Sequence, residues 1–128
     1  MFKSAHELVV AAKQVIREVA PTEIQALLAE GGSLLLDVRE PEEFQMGRLG
    51  GAVGLPRGLL EFRLSADPGL QNVERQVVVY CKTGGRSALA AQSLLGMGFR
   101  RVTSLAGGFD GWLGAGLPVV EPQDLSFD

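Results

Sequence analysis

The feature that most constrains this chain is an apolar run that leads straight into a cationic, glycine-bearing loop and then into a helix. Residues 77–80 read VVVY, as a strand buried on both faces would, and Cys81 follows directly. Residues 82–86 read KTGGR, and a helical pattern begins at Ser87. A buried strand followed by a loop and a helix is typical of α/β domains, which bind ligands beyond the carboxyl ends of their strands. Cys81 is predicted to occupy that position.

The rest of the chain alternates short apolar runs with segments of helical spacing. Three further strands are predicted, at residues 34–38, 52–55 and 102–105. Helices are predicted at residues 4–17, 21–30, 41–46, 57–64, 87–97 and 109–113, and a surface loop at residues 65–76. Strands alternating with helices on short connections predict one α/β domain with a mostly parallel central sheet flanked by helices.

Composition narrows the functional classes. A net charge of −3 in 128 residues offers no basic surface for nucleic acid or an anionic membrane. No apolar run approaches the roughly 18 residues of a membrane span, and Lys13 and Arg17 interrupt the N-terminal segment where a signal peptide would be apolar. We therefore expect a cytoplasmic protein. A single cysteine forms no internal disulfide, and with a single histidine it predicts no zinc site, so we expect no metal and no cofactor.

The surroundings of Cys81 predict a reactive thiolate. Cationic neighbours and a helix N-terminus lower the pKa of a cysteine thiol. Gly84 and Gly85 allow successive backbone N–H groups to point at one place, which forms a cradle for an anion. A nucleophilic cysteine in such a cradle fits phosphoryl transfer through phosphocysteine or sulfur transfer through a persulfide. Only four residues separate Cys81 from Arg86, one fewer than in cysteine phosphatases, and the smaller ring favours a single terminal sulfur atom.

Four ordered blocks resemble the rhodanese family. Residues 81–87 (CKTGGRS) are similar to its active-site loop. Residues 36–44 (LDVREPEEF), 51–56 (GAVGLP) and 105–112 (LAGGFDGW) are similar to its other signatures, in the same order. The resemblance implies a three-layer rhodanese-like domain at residues 18–119, a helical extension at residues 1–17 and a tail at residues 120–128.

The resemblance also implies an activity. Cys81 would take sulfane sulfur from a donor such as thiosulfate, hold it as a persulfide, and pass it to cyanide or a thiol. Arg86 would complete the catalytic pair by bracing the loop, and Lys82 would favour anionic donors. The N–H groups that bind the substrate would come from Lys82, Thr83, Gly84, Gly85 and Ser87. Implied partners are small sulfur donors and thiol acceptors, with thioredoxin, a desulfurase or a sulfur-carrier protein among them.

Two further predictions concern charged residues near the end of a predicted strand and positions that differ from the usual rhodanese pattern. Asp37, Arg39 and Glu43 are interpreted as an ion-pair network that fixes a strand end. Arg48 stands where the family usually has histidine and Gly50 where it has proline, so Arg48 is given a structural surface role.

Several alternatives stay open at this point. The apolar face of the N-terminal helix is expected to pack on its own domain or on another protein. Functionally, the alternatives are a rhodanese-like module that only binds a partner, and a cysteine phosphatase or arsenate reductase.

Overall fold

A computed structural model describes residues 1–122 and contains one five-stranded sheet. All strand pairs are parallel, in the order β1-β5-β4-β2-β3. The strands are β1 Arg17–Val19, β2 Leu34–Asp37, β3 Val53–Gly54, β4 Gln76–Tyr80 and β5 Arg101–Leu105. The helices are α1 Ala5–Lys13, α2 Pro21–Ala29, α3 Pro41–Gln45, α4 Leu60–Ala66, α5 Gly85–Gly96 and α6 Gly108–Gly114, with short 3₁₀ turns at Arg57–Leu59 and Pro68–Leu70. The predicted α/β class and parallel sheet are confirmed.

The sheet separates two apolar layers because side chains alternate along each strand. On β4, Val77 and Val79 face a core shared with α4 and α5, and Cys81 continues the same face. Val78 and Tyr80 face the other core, which contains residues of α2 and α6. This three-layer arrangement places the cysteine at the carboxyl edge of a strand that is covered on both sides.

The strands predicted from the sequence are all present, but the N-terminal prediction is partly wrong. The helix begins as expected, with the Ser4 hydroxyl and the Glu7 carboxylate forming a reciprocal cap. It ends at Lys13 rather than residue 17, because Arg17–Val19 pair with β5 instead. The helix α5 starts two residues before its predicted position, at Gly85.

Both ends of the described range, residues 1–122, contact the rest of the domain. Ala12 of α1 is fully buried, and α1 packs against α5, whereas Leu8 and Val10 remain exposed. At the other end, the backbones of Val120 and Arg48 exchange two hydrogen bonds. The expected tail therefore includes an attached residue, and residues 123–128 lie outside the described residues. The proposed division at residues 17 and 119 stays a prediction. Within residues 1–122, no helix is long and apolar enough to cross a membrane.

Candidate active site

Cys81 lies under the loop that follows β4, and the residue is 1% exposed. The N–H of Gly84 donates a hydrogen bond to Cys81 Sγ at 3.1 Å. Gly84 adopts a φ of +111°, which L side chains rarely adopt, and this turn folds the loop back over the sulfur. Gly84 is also the residue before α5, so the helix N-terminus starts beside the cysteine. The structure therefore brings the sulfur, a backbone donor and a positive helix end together.

Two buried serines, Ser87 and Ser104, form a hydrogen-bonded chain that ends at the Cys81 thiol. The Cys81 thiol donates to Ser87 Oγ at 3.5 Å, and the Ser87 hydroxyl donates to the Gly84 carbonyl at 3.3 Å. Ser104 of β5 donates to Ser87 Oγ at 3.0 Å. The family resemblance implies Ser87 only as a backbone N–H donor, so the contacts of its hydroxyl and of Ser104 were missed. A hydroxyl in a strand that was expected to be buried was the available signal, since buried polar groups need partners.

Arg86 connects the start of α5 to α3. Its guanidinium donates to both carboxylate oxygens of Glu43, at 2.8 and 3.1 Å. These hydrogen bonds raise the pKa of Arg86, and the bond from Arg86 lowers the pKa of Glu43 from 4.5 to about 2. Glu43 was expected to join Asp37 and Arg39; that assignment is wrong, because α3 presents this carboxylate to Arg86.

Asp37 and Arg39 form a separate buried ion pair at the end of β2. Arg39 Nη2 lies 2.7 Å from the Asp37 carboxylate and donates to the Gly47 carbonyl at the same distance. Burial opposes the charge of Arg39, but the hydrogen bonds and charge of Asp37 outweigh it and raise the arginine pKa. The guanidinium also lies 4.3 Å from the ring centroid of Phe109. The pair thus links β2 to α6, and its supporting role in function stays a prediction.

The start of α6 holds the backbone of the cysteine loop from below. The N–H of Phe109 donates to the Cys81 carbonyl at 2.8 Å, and the N–H of Asp110 donates to the Lys82 carbonyl at 3.0 Å. The approach is so close that a Cβ added at Gly108 would lie 2.6 Å from both carbonyl oxygens. The sequence predicts a helix at residues 109–113 but not this contact. The paired glycines Gly107 and Gly108 were the signal, because only glycine permits such an approach.

The outer side of the loop is exposed to solvent. Lys82 forms an exposed ion pair with Asp110 at 2.8 Å, and Thr83 is exposed. Beside them lies a depression of about 390 Å³, lined in part by Lys82, Glu43 and Phe109. Arg48 does not line it; its guanidinium lies over the Phe44 ring, 4.3 Å from the centroid. In the described part of the chain, no three His, Cys, Asp or Glu side chains are grouped as a metal site would require.

Fold and site together define a class: a parallel α/β domain with one cysteine at a strand end, cradled by a backbone loop and a helix N-terminus. The Rhodanese-like domain family matches residues 20–115. The chain belongs to the rhodanese family.

Known relatives agree with this assignment. A sulfurtransferase from Allochromatium vinosum is 36% identical over 110 residues, which cover 85% of this chain and 99% of the relative. The thiosulfate sulfurtransferase GlpE of Pseudomonas syringae is 35% identical, with 75% and 86% covered.

Solved structures show the same fold. The protein RPA3614 from Rhodopseudomonas palustris, of unknown function and described as a possible tyrosine phosphatase, matches with a TM-score of 0.85 at 30% identity, covering 94% of this chain and 96% of that one. The homodimeric polysulfide-sulfur transferase of Wolinella succinogenes matches with a TM-score of 0.75 at 36% identity, covering 88% and 84%.

Proposed function

We propose that this chain is a sulfurtransferase that carries sulfane sulfur as a persulfide on Cys81. The observation that carries the proposal is the hydrogen bond from Gly84 N–H to Cys81 Sγ inside a loop closed by Arg86 after four residues. The sulfurtransferases among its relatives support it. A lone thiol stays reduced in the cytoplasm, which is the compartment we propose.

Loading begins with the Cys81 thiolate and an anionic donor such as thiosulfate. Sγ attacks the outer sulfur of the donor, a new Sγ–S bond forms, and the donor's S–S bond breaks. Sulfite leaves with the electrons of that bond, and the outer sulfur stays on Cys81 as a persulfide. The N–H groups at the start of α5 offer hydrogen bonds to the charged sulfur, and hydrogen bonds to a charged acceptor are stronger than those to a neutral one.

Unloading returns the enzyme to its first state. Cyanide or a thiolate attacks the outer sulfur, the Sγ–S bond breaks, and Cys81 leaves as a thiolate. The products are thiocyanate or an acceptor persulfide. The ion pair of Arg86 with Glu43 holds the loop through both steps, and Lys82 attracts anionic donors. Thioredoxin, a desulfurase and a sulfur-carrier protein are the proposed cellular partners, each presenting a thiol or persulfide to the loop.

Intact mass measurement tests the proposal. Incubation with thiosulfate should add the mass of one sulfur atom, and cyanide should then remove it. Cys81→Ser should show neither change. A mass that stays constant while Cys81 remains reduced and folded would refute sulfur transfer and favour a module that only binds a partner. With labelled sulfur, the same loaded protein identifies the cellular thiol that receives it.

A phosphatase is the second candidate because RPA3614, described as a possible tyrosine phosphatase, shares the fold so closely. The short loop argues against it, since a tetrahedral phosphate needs a wider ring of N–H donors. Hydrolysis of an aryl phosphate that disappears in Cys81→Ser would establish this activity. Absence of turnover together with persulfide formation would exclude it.

A further inference from the structure

Residues outside the family match reach the loop that holds the cysteine. The match begins at residue 20, but Lys13 of α1 and Glu18 of β1 both lie behind the corner formed by Gly84. A Cβ added at Gly84 would lie 3.7 Å from Glu18 Oε2 and 3.9 Å from Lys13 Nζ. One added at Gly85 would lie 3.7 Å from Val9 Cγ2. The N-terminal segment therefore supports the residue whose N–H donates to Cys81 Sγ.

Lys13 and Glu18 form an ion pair in this position. Lys13 Nζ lies 3.4 Å from Glu18 Oε2, and the glutamate side chain is 26% exposed. Oε2 itself is shielded from water and accepts no hydrogen bond. Lys13 is close enough to Oε2 to form an ion pair, but the contact does not have the geometry of a hydrogen bond. A shielded carboxylate beside a loop that must carry an anionic sulfur is unfavourable unless a cation compensates it. Lys13 is that cation.

We propose that Lys13 and Glu18 are positioning residues for the cysteine loop. The carboxylate and the ammonium brace Gly84 from behind, and their charges cancel so that the thiolate on Cys81 is not opposed. The inference rests on the proposed function only in taking Cys81 as the reacting group.

Removing either charge should shift the pH at which the Cys81 thiolate forms, and the two variants should shift it in opposite directions. In Lys13→Met the Glu18 carboxylate is uncompensated, so the thiolate forms at higher pH than in the wild type. In Glu18→Gln the Lys13 ammonium is uncompensated, so the thiolate forms at lower pH. A pair that served only as a mechanical support would shift both variants upward, because loosening the loop weakens the Gly84 N–H contact in either case.

Other charged groups around the loop stay the same in both variants, so opposite shifts isolate this pair. They lie on α3 and the residue before it, on α5, on α6 and in the loop itself, and they include two ion pairs that are already balanced. The set consists of Arg86 with Glu43, Lys82 with Asp110, and Glu40.

The test is a pH titration of thiolate ultraviolet absorbance in the full-length protein. The signal belongs to Cys81, the only cysteine. Burial raises the pKa of Tyr80, the only tyrosine, so phenolate absorbance does not interfere. We expect shifts in opposite directions, upward for Lys13→Met and downward for Glu18→Gln. Lys13→Arg keeps the charge and should restore the wild-type midpoint.

The charge-matched control is the exposed ion pair of Arg100 and Glu74, which are 3.2 Å apart. Arg100 precedes the N-terminal end of β5, whereas Cys81 lies at the carboxyl ends of the strands. Arg100→Met and Glu74→Gln should leave the midpoint in place. Shifts in the same direction for Lys13→Met and Glu18→Gln, or shifts no larger than the control, would overturn the proposal. If Lys13→Met does not fold, Glu18→Gln alone decides, because a midpoint that is unmoved or higher refutes it. Failed sulfur loading alongside opposite shifts would refute the proposed function and leave this inference standing.

Discussion

Replacing Gly108 by alanine should disable the cysteine loop without touching the cysteine. The new Cβ would lie 2.6 Å from the carbonyl oxygens of Cys81 and Lys82, a distance that real Cβ atoms essentially never show. Both contacts are backbone, so no flexible side chain can move aside. The loop and the start of α6 must separate, and the hydrogen bonds from Phe109 and Asp110 to these carbonyls must lengthen or break.

The expected loss of unfolding free energy in Gly108→Ala has two contributions. Gly108 has a φ of +59°, and placing alanine in the left-handed region costs about 1–2 kcal/mol. Loss of the two hydrogen bonds from α6 adds about 2 kcal/mol, at about 1 kcal/mol each. A total of about 3–4 kcal/mol is a large part of the roughly 5–15 kcal/mol that stabilises a typical domain.

Gly116→Ala is a control that has the unfavourable backbone conformation without the steric clash. Gly116 has a φ of +74°, but a Cβ there would meet nothing within 4 Å. Urea unfolding followed by Trp112 fluorescence should show Gly108→Ala to be about 2 kcal/mol less stable than Gly116→Ala. Thiosulfate should load Gly116→Ala normally and Gly108→Ala poorly. Equal stability of the two variants with equal sulfur loading would refute the steric argument.

Four further predictions concern the charges of the site. The pKa of Glu43 is lowered from 4.5 to about 2, so its stabilisation is complete above pH 4.5 and lost as pH falls toward 2. Urea unfolding at a series of pH values should show that Glu43→Gln removes this loss of unfolding free energy between pH 4.5 and 2. A pH dependence equal to that of the wild type would contradict the prediction. Arg86→Ala should slow sulfur loading by about 10²-fold because the loop loses its connection to α3, whereas near-normal loading would show that Arg86 has another role. Asp37→Ala leaves the Arg39 charge buried and unpaired, so unfolding experiments should show a loss of about 3–5 kcal/mol, and a loss below 1 kcal/mol would contradict this. Lys82→Ala should weaken kcat/KM for thiosulfate at low salt and spare a neutral donor, and equal losses would exclude electrostatic selection.

The central part of the fold could be predicted because its information is local. The VVVY run of β4 and the glycine-bearing loop after it specify a strand and a turn without reference to distant residues. The short strand β1 is different. Arg17 and Glu18 are charged, and the segment is a strand only because it pairs with Thr103–Leu105, far along the chain. No local pattern predicts that pairing.

The same distinction applies to the site. The cysteine, its loop and Arg86 are adjacent in sequence, so the local pattern and the family resemblance together were enough to select them as candidates. Ser104 and Gly108 act on the loop from β5 and α6, so their contacts depend on tertiary structure. Glu43 shows the limit most clearly: its charge predicted an ion pair, but only the placement of α3 against α5 determined that Arg86 is the partner.

The sheet order also constrains how the chain matures during synthesis. Arg17 and Thr103 are neighbours in the sheet but 86 residues apart in sequence, so β1 must wait for nearly the whole chain before it can pair. The donors that hold the loop carbonyls, Phe109 and Asp110, emerge later still. A nascent chain that stalls before residue 109 would therefore present its only thiol on an unsupported loop. The cysteine becomes part of a finished site only when α6 is made.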